Sequence, residues 1–211
     1  MTLAIAAAKN ALSSGAPPDP REPADAGTVG QSFAGEREPG RWRVGGSAPD
    51  LVRMPEPAAI EAPTGEKRKG VRVFLPMNQL PMVARGAKEV HGGRFFTERT
   101  FDPPIDIGSR RYVDLHVFAS RAVPVTLYLT VGKPLKTSVN LVPGEQIVRI
   151  DLNQFEGAGG ASAQIERLAI DFWPQDIFYP YPPAADSEVV LFGIEASAAK
   201  PAVAALPHRG R

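Results

Sequence analysis

The chain has 211 residues, enough for one ordinary domain plus an appendage, and 24 Lys/Arg against 23 Asp/Glu give a formal net charge of +1. That balance carries neither the basic footprint of a nucleic-acid binder nor an acidic tail. Cysteine is absent, which excludes disulfides, thiolate catalysis and cysteine-ligated zinc.

The N-terminal MTLAIAAAKNALSSGA has a short apolar core, Leu3 to Ala8. Lys9 interrupts it and no basic segment precedes it, so it reads as a short helix or frayed start rather than an export signal. Met1 to Glu66 reads as an arm. It holds nine prolines, and its aromatics are Phe33 and Trp42, the candidate anchors of an arm laid along a partner. A stretch such as SGAPPDPREPADAG buries too little apolar surface to offset backbone ordering, so the arm is expected to be extended and either disordered or ordered by a partner. Lys67 to Lys69 mark the junction, read as solvated.

Beyond it the pattern changes. VRVFL (71–75) and RFFTERTF (94–101) are short β-prone runs. RYVDLHVFAS (111–120) alternates, with Val113, Leu115 and Val117 on one face and Tyr112, Asp114, His116 and Phe118 on the other. VPVTLYLTV (123–131) opposes Val125, Leu127 and Leu129 to Thr126, Tyr128 and Thr130. LKTSVNLV (135–142), with Val139 and Leu141, turns at Pro143-Gly144 into QIVRIDL (146–152), which points Val148, Ile150 and Leu152 inward. IERLAIDFW (165–173) puts Leu168, Ile170 and Phe172 on one face, and SEVVLFGIEAS (187–197) closes the domain. Such strands without an amphipathic helix predict an all-β, two-sheet sandwich. The expected organisation is an arm over 1–66, a β-sandwich over 67–198 and a flexible tail over 199–211. No apolar run approaches the roughly 18 residues of a membrane-spanning helix.

Asp114 and His116 share a strand face two residues apart, a spacing that suits either a His–carboxylate site or a polar pair on the rim. The sequence has no His-x-His, HExxH or G-x-S-x-G pattern, and EGAGGASAQ (156–164) matches no phosphate loop. No catalytic residue, metal site or cofactor is expected. DFWPQDIFYPYPP (171–183) is the richest stretch: with Phe172 inward, Trp173 points outward, and the prolines stiffen the loop that carries Phe178, Tyr179 and Tyr181. Those rings either cap the sandwich end, contact a protein, or stack on sugar.

The order of FDPPIDIGSRRYVDLHVFAS, VPVTLYLTV, KTSVNLVPGEQIVRIDLNQF, IERLAIDFWP and EVVLFGIEAS resembles the galactose-binding-like β-sandwich, a jelly roll found in carbohydrate-binding modules and accessory domains of bacterial glycoside hydrolases. The resemblance covers about residues 95–197. Its last strand usually carries Asp or Asn where this chain has Gly193, with Glu195 two residues later, so the calcium frequent in such modules is not carried over. Two functions follow as expectations. The first is a non-catalytic structural subunit of a larger protein assembly, docking through the sandwich and the arm. The second is a carbohydrate-binding module recognising a polysaccharide through Trp173, Tyr179, Tyr181 and the His116 region. The weak N-terminal signal points to the cytoplasm; the resemblance implies a periplasmic or extracellular protein.

Overall fold

The computed structural model describes residues 27–61, 65–85, 88–155, 163–174 and 185–198. The expectations for residues 1–26 and for the tail lie outside them. Two antiparallel sheets stack face to face. The six-stranded sheet runs β11 (Gly144–Asp151), β8 (Tyr112–Ala119), β13 (Ser187–Ser197), β4 (Lys67–Leu75) and β3 (Glu56–Glu61), with β1 (Val29–Ser32) also paired to β13. The five-stranded sheet runs β10 (Lys133–Leu141), β9 (Val123–Val131), β12 (Ala163–Phe172), β7 (Phe95–Gly108) and β2 (Arg43–Gly46). β5 (Met82–Arg85) and β6 (Lys88–His91) form a separate hairpin. Among the described residues the only helical turns are 3-10 turns.

The core sits between the sheets and follows the alternation. Val113, Leu115, Val117, Val125, Leu127, Leu129, Leu141, Val148, Ile150, Leu152, Leu168, Ile170 and Phe172 are buried, and Val139 is partly buried against them. Successive strand residues point to opposite faces, so one run of pairings sets what is inside and what is outside. β7 continues through Pro103 and Pro104 because its register against β12 slips there: Thr100 opposes Arg167, while Ile105 opposes Ile165. Residues lacking an N–H fall where the ladder asks for none.

The expected arm needs correction over residues 29–61. β1, β2 and β3 pair with β13, β7 and β4, so this segment belongs to both sheets. Phe33 and Trp42 are core residues rather than anchors for a partner, at 0% and 2% exposure, and their rings meet edge to face at 5.2 Å. Between them Glu38 forms an ion pair with Arg99, and both side chains are almost fully buried. Arg99 points inward from β7 and lies over the Phe33 and Phe101 rings, 5.1 and 5.0 Å from their centroids. Desolvation lowers its pKa to about 10, still far above neutrality, so the guanidinium keeps its charge and Glu38 supplies the counter-charge. The sandwich therefore begins well before Lys67.

Removing one partner from a buried pair leaves an uncompensated charge, whereas replacing both by apolar residues does not. Glu38→Ala is expected to lower stability by about 3–5 kcal/mol in urea unfolding, and Glu38→Leu combined with Arg99→Met to recover most of that loss. A chain starting at Lys67, stripped of Phe33 and Trp42, is expected to lose its cooperative transition, since each large aromatic truncation alone costs about 3–5 kcal/mol.

Candidate functional site

The outer face of the five-stranded sheet gathers the most chemistry. Register fixes its rows. Gly45, Phe96, Asp171, Thr126 and Ser138 stand opposite one another across β2, β7, β12, β9 and β10. The next row is Arg43, Glu98, Ala169, Tyr128 and Lys136. Trp173 follows Phe172 at the end of β12, and its backbone N–H donates to the Pro124 carbonyl at 3.0 Å. Phe96, Tyr128 and Trp173 are each half-buried, so three rings from adjacent strands present surface to solvent on one face.

Polar groups hold those rings in place. The Trp173 indole donates from Nε1 to Thr126 Oγ1 at 3.3 Å, and Thr126 lies 3.2 Å from Ser138 Oγ. With one lone pair taken by the indole, the Thr126 hydroxyl is free to donate to Ser138, and the chain spans three strands. Arg94, just before β7, pairs with Asp171 and stands 5.9 Å from the Phe96 centroid and 6.0 Å from that of Trp173. Tyr128 donates to the same carboxylate, and its pKa rises from 10.0, first by burial and then through Asp171, with Arg94 opposing. The phenol is therefore a donor at neutral pH; because its folded value is raised, its stabilising bond is present below 10.0 and is lost only as pH climbs above it. Phe96 has its place because β2 carries a glycine opposite: a methyl on Gly45 would meet the ring at 2.5 Å.

The sequence candidates scatter. Trp173 takes the outward position expected of it. Phe178, Tyr179 and Tyr181 lie outside the described residues. Asp114 and His116 sit on the outer face of the six-stranded sheet, across the sandwich from Trp173, and they do not form a dyad. Asp114 takes both arms of Arg149, at 2.7 and 2.6 Å. His116 Nε2 lies 3.3 Å from Glu195 Oε2. The register accounts for both: Arg149 stands directly opposite Asp114, where side chains approach to about 5 Å, and Glu195, itself opposite Asp114, reaches His116 diagonally past Gly193. Gly193, opposite His116, has no side chain, and a methyl there would meet the Gln31 carbonyl of β1 at 2.9 Å. The gap contributes to a recess of about 320 Å³ floored by Phe192 and edged by Arg68, Gln31 and Ser32. No group of three or more His, Cys, Asp or Glu side chains is placed to hold a metal ion among the described residues.

Phe96, Arg94, Thr126, Tyr128 and Asp171 escaped the sequence reading as site residues. The alternation of 123–131 already turned Thr126 and Tyr128 outward; what it withheld was their neighbours on other strands.

No family model matches the chain, and no curated protein matches it. Among solved structures, an exo-β-agarase is similar over 83% of this chain and 25% of its own, with 10% identity and a TM-score of 0.56. The fold is the galactose-binding-like β-sandwich. The chain thus spans about a quarter of the length of that agarase. A family 11 carbohydrate-binding module from Clostridium thermocellum, solved with a mixed-linked tetrasaccharide, is similar over 82% of this chain and 96% of its own, at 9% identity and a TM-score of 0.47. A carbohydrate-binding module of family 28, specific for non-crystalline cellulose, is similar over 75% and 89%, at 12% identity and a TM-score of 0.42.

The separation of Asp114 from His116 has a measurable consequence. A double-mutant cycle on Asp114 and Arg149 is expected to give a coupling of about 1 kcal/mol or more, because their bidentate bond is partly buried. The same cycle on Asp114 and His116 is expected to stay within about 0.5 kcal/mol, the additive limit.

Proposed function

We propose that this protein is a non-catalytic carbohydrate-binding module and that the outer face of its five-stranded sheet holds the sugar. One observation carries the reading: Phe96, Trp173 and Tyr128 offer half-exposed rings on three adjacent strands, with the Arg94–Asp171 pair set among them. A pyranose ring has an apolar C–H face that stacks on an aromatic and an equatorial rim of hydroxyls that both donate and accept. The rings serve the first; the half-exposed Arg94 guanidinium as donor and the Tyr128 phenol oxygen, its proton given to Asp171, as acceptor serve the second. A platform built on paired strands is already ordered, so little freedom is lost on binding. The fold likeness to a quarter of an exo-β-agarase supports the same direction.

The first expectation, an assembly subunit, called on a free arm as well as on the sandwich. Residues 29–61 are sandwich, and that ground is gone for them.

Affinity electrophoresis through gels containing soluble polysaccharides tests the proposal. Retardation is expected with at least one of them, weakened about tenfold or more by Trp173→Ala or Phe96→Ala, which corresponds to about 1.4 kcal/mol of lost contact. Circular dichroism should find both variants folded, and incubation with the bound polysaccharide should release no reducing ends. Migration unaffected by every polysaccharide, or binding that survives both substitutions, would overturn the proposal.

A further inference from the structure

We infer that the glycan selected by this face is anionic, carrying carboxylate or sulfate groups; the inference rests on the carbohydrate reading above and concerns which sugars the face prefers. The charges around the aromatic rows do not balance. Among the described residues four cations, Arg43, Arg94, Arg167 and Lys136, face three carboxylates, Glu98, Asp171 and the exposed Glu166 beside Arg167 at the β12 bulge. Glu98 is shared: Arg43 reaches it at 3.3 Å from β2 and Arg167 pairs with it from β12. One carboxylate cannot neutralise two guanidinium groups. Asp171 is 4% exposed and is already engaged by Arg94 and Tyr128, so it presents little charge to an incoming ligand. Lys136 lies over the Tyr128 ring at 5.8 Å, and among the described residues it has no carboxylate partner. The excess positive charge thus surrounds the very rings that would stack on the sugar.

The opposite sheet provides an internal contrast. There Arg68 pairs with Glu145, Arg111 with Asp151 and Arg149 with Asp114, while Arg72 has both Glu56 and Glu188. Each of those arginines has a carboxylate of its own. On that sheet Arg53, over the Phe74 ring at 4.2 Å, is without a carboxylate partner among the described residues, but its neighbours' charges cancel, whereas on the aromatic face a shared Glu98 leaves two guanidinium groups to one acid. In an array of this kind the anionic groups of a polymer would sit beside Lys136 and Arg167 while its ring stacks on Trp173 or Phe96. Such contacts are solvent-exposed, so salt screens them.

The test measures affinity for a neutral β-galactan, the same galactan in sulfated form, a polyuronate and polyglutamate, each at low and high sodium chloride. The sulfated galactan or the polyuronate is expected to bind at least tenfold more tightly than the neutral polymer at low salt, and to lose most of that advantage at high salt. Whichever of the two does so identifies the anion. Lys136→Ala with Arg167→Ala should abolish the preference and leave the affinity for neutral galactan within about twofold. Equal affinity for neutral and anionic polymers, or a preference untouched by salt or by the double substitution, would overturn the inference and leave the carbohydrate reading standing. Equal binding of polyglutamate would also overturn it, as simple ion exchange. Failure of every polysaccharide to bind would instead overturn the carbohydrate reading itself.

Discussion

Each residue of a strand sends its side chain to one face only, and β12 is paired on both sides, to β7 and to β9. That double pairing constrains the molecule more than any other feature. The register that sets Leu168, Ile170 and Phe172 against the core also sets Asp171 opposite Phe96 on one side and Thr126 on the other. A slip of one residue would expose the core set and bury the charged one, so hydrophobic burial enforces the geometry of the outer face without any interaction made on that face. Burying side chains of this size contributes about 1.5–3 kcal/mol each, far more than the exposed ion pairs that decorate the rows.

A second constraint ties the N-terminal segment to the same sheet. Arg99 points into the core from β7, and its sequence neighbour Glu98 points out beside the proposed site. An arginine among Phe33, Phe101 and Trp42 is tolerable only with a counter-charge, and Glu38 is delivered by the turn between β1 and β2. The pair is weak evidence of stability, since apolar residues of similar size often do as well. Left unpaired in the core, either charge is costly, so the pair disfavours placements of the β1–β2 turn that take Glu38 away from Arg99. β2 in turn carries Gly45, on which the Phe96 ring rests. Core electrostatics thereby reaches the outer surface through two short strands.

Much of this was legible in the sequence, and the exceptions have physical causes. The strict alternation of 111–120 and 123–131 identifies strands and their inward faces, and Trp173 is assigned outward by its place after Phe172. The strands VGQS and RVGG are not legible: one glycine with two polar residues, or two glycines with an arginine, leave a single apolar residue in four and carry no period, and these segments are strands because β13 and β7 offer them free backbone groups. Phe33 and Trp42 were visible as the aromatics of a polar segment, and the composition around them suggested an arm where the structure has a core lining. The Asp114–His116 spacing was read along the strand, while the shorter distance, and hence the pairing, runs across it. Cross-strand partners such as Arg149 for Asp114 are fixed by register, which a single strand does not encode.

The two outer faces then differ for a reason that starts in the backbone. On the six-stranded sheet, Gly193 and Gly30 let β1 lie close against β13, and the chemistry there is spent on cross-strand ion pairs with an arginine to each acid or two. The cations over Tyr112, Arg111 at 4.9 Å and Arg149 at 5.4 Å, are tied down by Asp151 and Asp114, so that ring is covered by charges already paired. On the five-stranded sheet a small residue, Ala169, stands at the centre of the second row, with Glu98 and Tyr128 on either side. Of the rings around it, Trp173 and Tyr128 are each held by a hydrogen bond and Phe96 by its seat on Gly45, and all keep surface in solvent. A face whose groups satisfy one another has little left to offer a ligand, whereas rings with one edge anchored and one surface free, amid charges that do not cancel, retain binding capacity. That difference, and not the fold shared by both sheets, is the ground on which we propose the site on the five-stranded side.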